Sequence, residues 1–324
     1  MSQTDTIYAL VADIGGTNTR VALADSATVR TNTIKRYANS AYSGLAAVLE
    51  QYVDDIGGAA PVATCVAVAG PVHNGAATMT NLDWTMDLQT LRLATQAGTV
   101  DILNDLQAQG HAIGHLTSEN LMEVVRGNAA GKTSKAHLVI GVGTGFNAAP
   151  VFDTGHGRIV PASESGHVTL PTRTSEQERL SLYVGQKHGF PAVEDVLSGR
   201  GLERVYQFVR DDIGKPHKMA AAKIMQACGE GDPDARRTAR ICVEMLGAVA
   251  GNLALTQLPF GGIYLVGGVS RALAPYFDEF GFHDAFRDKG RFSSFMDSFT
   301  VSVVKDDYAA LTGCAAHMAE IRPT

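Results

Sequence analysis

Cysteine is scarce in this chain: Cys65, Cys228, Cys242 and Cys314 are the only four in 324 residues. No two stand in Cys-x-x-Cys spacing, which excludes a zinc knuckle and a dithiol redox pair. Cys65 and Cys242 lie in apolar surroundings and read as plain core residues, a usage that fits a reducing compartment. Basic charge is also short. Lys and Arg number 27 against 33 Asp and Glu, a formal net charge of −6. There is no basic stripe or lysine-rich tail, which argues against nucleic acid as a partner. The N-terminus MSQTDTIYALVADIG has neither a basic n-region nor a long apolar core, so it does not read as a signal peptide and the cytoplasm is expected. No apolar run approaches the length of a membrane span, and no membrane partner is expected. The longest run, Ile241 to Leu258, is interrupted by Glu244, Asn252 and Gln257 and reads as a buried helix. Low-complexity text is absent, and residues 127–135 (GNAAGKTSK) form the clearest loop by composition.

What is present concentrates in Leu10 to Leu23, LVADIGGTNTRVAL. An apolar run delivers Asp13, then Gly15, Gly16, Thr17 and Asn18, then a second run of alternating character. This reads as strand, tight turn, strand. The glycines are expected to take backbone angles closed to other residues and to let a ligand touch the main chain. Backbone N–H groups and hydroxyls in such a turn suit phosphate oxygens, and an adjacent Asp suits the Mg²⁺ that travels with a nucleotide. The plainer reading is a glycine hairpin with a capped end. A second copy stands at His137 to Val151, HLVIGVGTGFNAAPV, with Gly143, Thr144 and Gly145 in its turn. Two such hairpins imply related half-structures that clasp phosphates from both sides. Neither turn is followed by Gly-Lys-Ser/Thr, so neither is a Walker loop. Neither leads into a helix, so neither is a dinucleotide fingerprint.

The chain is long enough for two domains. Strands are expected at 7–13, 19–25, 29–36, 63–69, 76–81 and 99–104, with helices at 43–55, 87–95 and 105–115. This alternation indicates an α/β protein. The second half restarts with the 137–151 hairpin. Apolar spacing of three and four marks helices around Leu180, Tyr183 and Val184, and around Val243, Leu246 and Val249. A buried strand, Gly262 to Gly268, precedes another helix, and an amphipathic helix at 308–320 packs back on one domain.

Three further segments carry chemistry. Asn104-Asp105 follows an apolar strand, where open α/β sheets gather ligands. A carboxylate there can accept a hydroxyl proton as it attacks a phosphoryl group, and Asn104 can meet a sugar hydroxyl. The plainer reading makes Asp105 the cap of the next helix. Ser163-Glu164-Ser165-Gly166-His167 can hold two hydroxyls of a polyol through Glu164 and His167, or be only a polar loop; one Glu and one His do not complete a metal site. Glu194 precedes a helix start at Ser198. Gly267-Gly268 can admit a nucleobase or ribose, or simply turn the chain under tight helix packing.

Together these segments resemble the bacterial glucokinase family, within the sugar kinases of the hexokinase and actin-like superfamily. DIGGTNTRVAL and GVGTGFNAA resemble its two phosphate motifs, and VAVAGPV, TNLDW, ILNDLQA, VEDVLSGRGL and GGIYLVGGV follow in the expected order along nearly the whole chain. The resemblance implies a two-domain actin-like ATPase (ribonuclease H-like) α/β fold with an inter-domain cleft. The expected division is 1–104 plus 308–324 against 105–307. It further implies ATP and Mg²⁺, a sugar substrate, and a homodimer. Asp105 would be the general base, and Asn104, Glu164, His167 and Glu194 the sugar ligands. Gly15, Gly16, Thr17, Asn18, Gly143, Thr144 and Gly145 would handle phosphate, with Asp13 near Mg²⁺ and Gly267 and Gly268 behind the adenosine. The expected activity is phosphorylation of glucose at its 6-hydroxyl. The alternatives are a kinase for another hexose or amino sugar, and a catalytically weak sugar-binding regulator. Two departures motivate them. Ser163 and Ser165 stand where the family has glycines, and Gly145-Phe146-Asn147 where it has Gly-Leu-Gly. The side chains at 163 and 165 are expected to crowd the sugar loop. Asn147 is expected to keep the turn by tolerating positive φ.

Overall fold

The structure, a computed structural model, describes residues 8–58, 60–79, 82–128 and 135–321. Residues 129–134 of the expected loop, and Asn81 at the end of the expected 76–81 strand, lie outside them. The chain forms two compact units. The first is Met1–Thr117 with Thr154–Ala162 and Asp306–Thr324; the second is Ser118–Asp153 with Ser163–Lys305. The first unit thus extends past the expected boundary at 104 and keeps Asp105.

In the first unit the chain runs β1 (Ala9–Ile14), β2 (Asn18–Asp25), β3 (Thr28–Val29), β4 (Lys35–Ala38), α1 (Leu45–Asp55), β5 (Ala63–Val68), β6 (Val72–His73), β7 (Ala76–Thr78), β8 (Thr85–Asp87), α2 (Leu88–Thr95), β9 (Thr99–Asn104) and α3 (Asp105–Ala112). The strand expected at 29–36 is split by a 3-10 turn at Thr31–Thr33. Strand order is β3-β2-β1-β5-β9, with β4 also on β2. β1 pairs antiparallel with β2 and parallel with β5, which pairs parallel with β9. β5 is buried along its whole length and β1 nearly so, as parallel strands covered on both faces must be. Leu10, Ile14, Leu49, Tyr52, Val66 and Leu91 pack on one face; Val11, Cys65, Ala67, Leu311, Cys314 and Met318 pack on the other.

The second unit holds β10 (Leu121–Val125), β11 (Ala136–Val142) and β12 (Phe146–Thr154); a short β13 (Gly157–Ile159) belongs to the first unit's middle segment. Then come α4 (Ser175–His188), α5 (Gly199–Asp212), α6 (Ala221–Gly229), α7 (Pro233–Gln257), β14 (Ile263–Val266), α8 (Gly268–Leu273), α9 (Phe282–Arg287) and β15 (Val301–Val304). The last helix, α10 (Ala309–Ile321), returns to the first unit. β11 pairs antiparallel with β12 and parallel with β14, which pairs parallel with β15. A hairpin followed by two parallel strands therefore occurs once in each unit. The duplication expected from the two glycine hairpins is a duplication of sheet topology. α7 is the one described helix long and apolar enough to cross a membrane by length and composition. Its residues Ile241, Val243, Leu246 and Ala250 are buried in the second unit's core, as expected for Ile241 to Leu258.

Candidate active site

Each unit carries candidate site residues on its own glycine turn. In the first unit Asp13 is the last residue but one of β1 and stands opposite Arg20 across the hairpin. Arg20 Nη1 lies 3.3 Å from Asp13 Oδ2, donates to the Asp307 carbonyl, and sits over the Tyr308 ring. Burial pushes the Asp13 carboxyl up from its ordinary value, and Arg20 opposes that rise. The turn itself is tight, with Gly15 N donating to Asn18 O at 3.0 Å. Gly16 and Thr17 face solvent.

Gly15 is not left-handed, against the expectation for its turn, and neither are Gly143 and Gly145 in the second hairpin. The first turn is shaped instead by Asn39, a residue no motif marked. Buried Asn39 donates through Nδ2 to Gly15 O at 2.8 Å and accepts from Thr19 Oγ1 at 2.8 Å. Its backbone N–H donates to Thr17 O at 2.9 Å.

β9 delivers Asn104 and Asp105 two strands from β1. Asn104, not Asp105, caps the helix: its Oδ1 accepts from Leu106 N at 3.0 Å, and Gln107 Oε1 accepts from Asn104 N at 3.1 Å. This reciprocal pair satisfies two orphan N–H groups at once. Asn104 Nδ2 also donates to Gly70 O at 2.9 Å, which ties the Gly70-Pro71 turn to the end of β9. Asp105 is thereby left as the first helical residue of α3. Its carboxylate accepts from Leu106 N at 2.8 Å. Burial, and then the nearby Asp13 carboxylate, push its pKa up to about 6. Two carboxylates with unequal support, one paired to Arg20 and one not, are a pattern of acid–base sites.

In the second unit the turn between β11 and β12 closes with Gly143 N donating to Gly145 O at 2.9 Å. Thr144 faces solvent. Glu194 comes against this turn: its Oε2 accepts from Phe146 N at 2.9 Å. A Cβ at Gly145 would lie 2.6 Å from that oxygen, so a side chain there would displace the carboxylate from this contact. The N-terminus of α5, capped by Ser198, meets the same turn through Gly199 N to Gly143 O at 2.8 Å. Glu164 and His167 are 72% and 65% exposed, with 3.8 Å between Glu164 Oε2 and His167 Nε2. They project freely from a loop pinned by Gly166, whose Cβ would collide with Phe146 O at 2.1 Å. Gly267 has φ +102°, and a Cβ there would meet Val142 O at the end of β11 at 2.4 Å; Gly268 is open.

The two departures meet in one cluster. Asn147 Nδ2 donates to Ser163 O, and Asn147 Oδ1 accepts from Ser165 N at 2.9 Å and Ala148 N at 2.8 Å. The Ser163 and Ser165 hydroxyls lie 2.9 Å apart, and Ser163 Oγ donates to Ala148 O. Asn147 is not left-handed; it keeps the turn by these side-chain bonds rather than by positive φ. No group of three or more His, Cys, Asp or Glu able to hold a metal occurs among the described residues.

The glucokinase family model matches residues 10–321. Glucokinase of Yersinia enterocolitica is 31% identical over 315 residues, covering 97% of each chain. The crystal structure of a glucokinase from an Antarctic psychrotroph superposes with TM-score 0.84 at 28% identity, covering 96% of this chain and 98% of that one. The glucokinase of Balamuthia mandrillaris, solved in complex with glucose, superposes with TM-score 0.80 at 22% identity, covering 95% and 92%. With the fold, the paired glycine hairpins and a match that spans the molecule in agreement, the chain belongs to the glucokinase family.

Proposed function

We propose that the protein transfers the γ-phosphoryl group of ATP to the 6-hydroxyl of glucose. The observation that carries this reading is Asp105: a partly buried carboxylate at the carboxyl end of β9, with its pKa near 6 and a second carboxylate beside it. A general base works best with its pKa near the working pH. In the proposed reaction Asp105 takes the proton of the 6-hydroxyl. The O6–Pγ bond forms, the bond from Pγ to the bridging oxygen breaks, and ADP leaves. Asn104, Glu164, His167 and Glu194 are assigned to the sugar hydroxyls. The exposed turns at 15–18 and 143–145 are assigned to the phosphates, and Gly267 and Gly268 to the adenosine.

Asp13 suits Mg²⁺ as a single carboxylate, since that ion is held by one or two carboxylates together with substrate phosphates. Arg20, 3.3 Å away, opposes the rise that burial imposes on the Asp13 carboxyl. Bound there, the ion would neutralise charge on the transferred group. What the chain's own residues supply is orientation of the hydroxyl, a proton acceptor, and N–H donors around the phosphates. Such positioning and electrostatics dominate phosphoryl transfer. The reading also assigns the protein to the cytoplasm as a homodimer without nucleic-acid or membrane partners.

The test is ADP release from Mg-ATP across a panel of hexoses and amino sugars. Glucose-dependent release that is lost in Asp105→Asn supports the reading. Turnover on a different sugar replaces glucose as substrate, and sugar binding without release makes the protein a regulator.

A further inference from the structure

We infer that Asn147 is a positioning residue for the sugar-binding loop, acting through Ser163 and Ser165 to fix the segment that carries Glu164 and His167. The inference rests on the proposed sugar role of those two residues. Glu164 and His167 have little packing of their own, so their placement is set by the backbone beneath them. That backbone is fastened at two points. Gly166 lies flat against Phe146 O. On either side of Glu164, Ser163 O and Ser165 N are held by the two ends of the Asn147 amide.

The hydrogen bonds close as a set. An amide side chain offers two donors and two acceptor positions, and a hydroxyl one donor and two acceptors. Asn147 Oδ1 takes Ser165 N and Ala148 N. Ser163 Oγ gives its proton to Ala148 O and receives one from Ser165 Oγ. The two serine hydroxyls are thus engaged with the hairpin. Asparagine at 147 and the serines at 163 and 165 therefore do not add new contacts to the sugar. They form a latch that acts on every sugar alike.

The latch joins the phosphate-side turn to both candidate sugar carboxylates. Phe146 N is bonded to Glu194, and the next residue, Asn147, holds the loop of Glu164.

The experiment compares wild type, Asn147→Gly and the double variant Ser163→Gly/Ser165→Gly by steady-state kinetics and by hydrogen exchange at the Ser165 amide. Asn147→Gly is expected to raise the glucose KM about 10-fold, the effect of losing two hydrogen bonds of ordinary net strength. Its kcat and its KM for ATP should stay within about threefold, and every hexose the enzyme accepts should lose by the same factor. The Ser165 amide should exchange about 10-fold faster or more, while the amides of Gly201 and Leu202 keep wild-type protection. The double serine variant retains the Asn147 Oδ1 to Ser165 N bond and should show the smaller effect. An unchanged glucose KM, a change in preference among hexoses, or unchanged Ser165 exchange each overturns the latch. Absence of turnover in wild type overturns the kinase reading instead, and the exchange measurement then decides the latch by itself.

Discussion

Replacing Asp105 by Asn should make the protein more stable while it destroys turnover. In the folded state the Asp105 carboxyl titrates near 6 against an ordinary value of 3.8, because burial and the Asp13 carboxylate disfavour its charge. The folded protein therefore binds this proton more tightly than the unfolded chain does. Stability falls as pH rises from about 4 through about 6, and the full penalty persists above that range. About two decades of proton affinity correspond to about 3 kcal/mol at pH 7.5 as an upper bound. Asn cannot ionise. Its side-chain oxygen can still accept from Leu106 N, and Asn104 continues to cap α3. Thermal unfolding of wild type and Asp105→Asn at pH 4 and pH 7.5 is the assay. The variant should melt several degrees higher at pH 7.5, at about 2–4 °C per kcal/mol, and the gap should close at pH 4. Turnover should drop by about 10²–10⁴-fold, the range for losing a general base. A variant that melts at or below wild type at pH 7.5 refutes the strained carboxylate. Near-wild-type turnover refutes its role as base.

Removing the neighbouring charge should move the same titration. In Asp13→Asn, Asp105 loses a repelling carboxylate, so the acidic limb of the kcat profile should shift to lower pH even as maximal activity falls; a limb that stays put removes Asp13 from the account. Gly313→Ala should separate α10 from α3. A Cβ at 313 would lie 1.6 Å from Ala108 O, and overpacking of this kind costs about 3 kcal/mol or more; an unchanged melting temperature would show that the helices are free to part. His111→Phe should make the protein more resistant to acid. Burial, with His317 and Arg158 nearby, pushes His111 down to about 3. The unfolded chain then takes up this proton first as pH falls from about 6.5, and stability is lost over that window. Acid unfolding followed by circular dichroism should show a lower midpoint pH in the variant. An unmoved midpoint excludes His111 as a source of acid sensitivity.

The elements that position the site are legible in the sequence because their signals are local. Leu10 to Asp13, Leu138 to Ile140 and Thr99 to Asn104 are apolar runs ended by glycine or by a polar pair, and all three are strands. Asp105 is recognisable because a strand delivers it. Its neighbour's role is harder to read. Asn104 and Asp105 are both good caps, and only the Gln107 reciprocal bond shows that the first of them caps α3. Interactions across large sequence separations leave no signal at all. Asn39 braces a turn 24 residues away, and Glu194 bonds Phe146 from 48 residues away. Gly145 looks like a residue needed for backbone freedom. What a Cβ there would meet, the Glu194 carboxylate, comes alongside only once the chain has folded.

The duplicated hairpin shows how one scaffold came to serve two tasks. The residue two before the first turn glycine is Asp13 in one copy and Gly141 in the other. Their cross-strand partners are Arg20 and Asn147 respectively. Side chains directly opposite in an antiparallel pair share a face and compete for the same space. In the first copy that space holds the Arg20–Asp13 ion pair, beside Asp105. In the second copy Gly141 contributes no side chain. Asn147 has no partner to answer across the hairpin, and its amide turns outward to Ser163 and Ser165. A glycine opposite an asparagine thus does for the sugar loop what an aspartate opposite an arginine does for the proton acceptor. Each stands beside a group assigned to substrate in the proposed reaction, without the hairpin itself having to change shape.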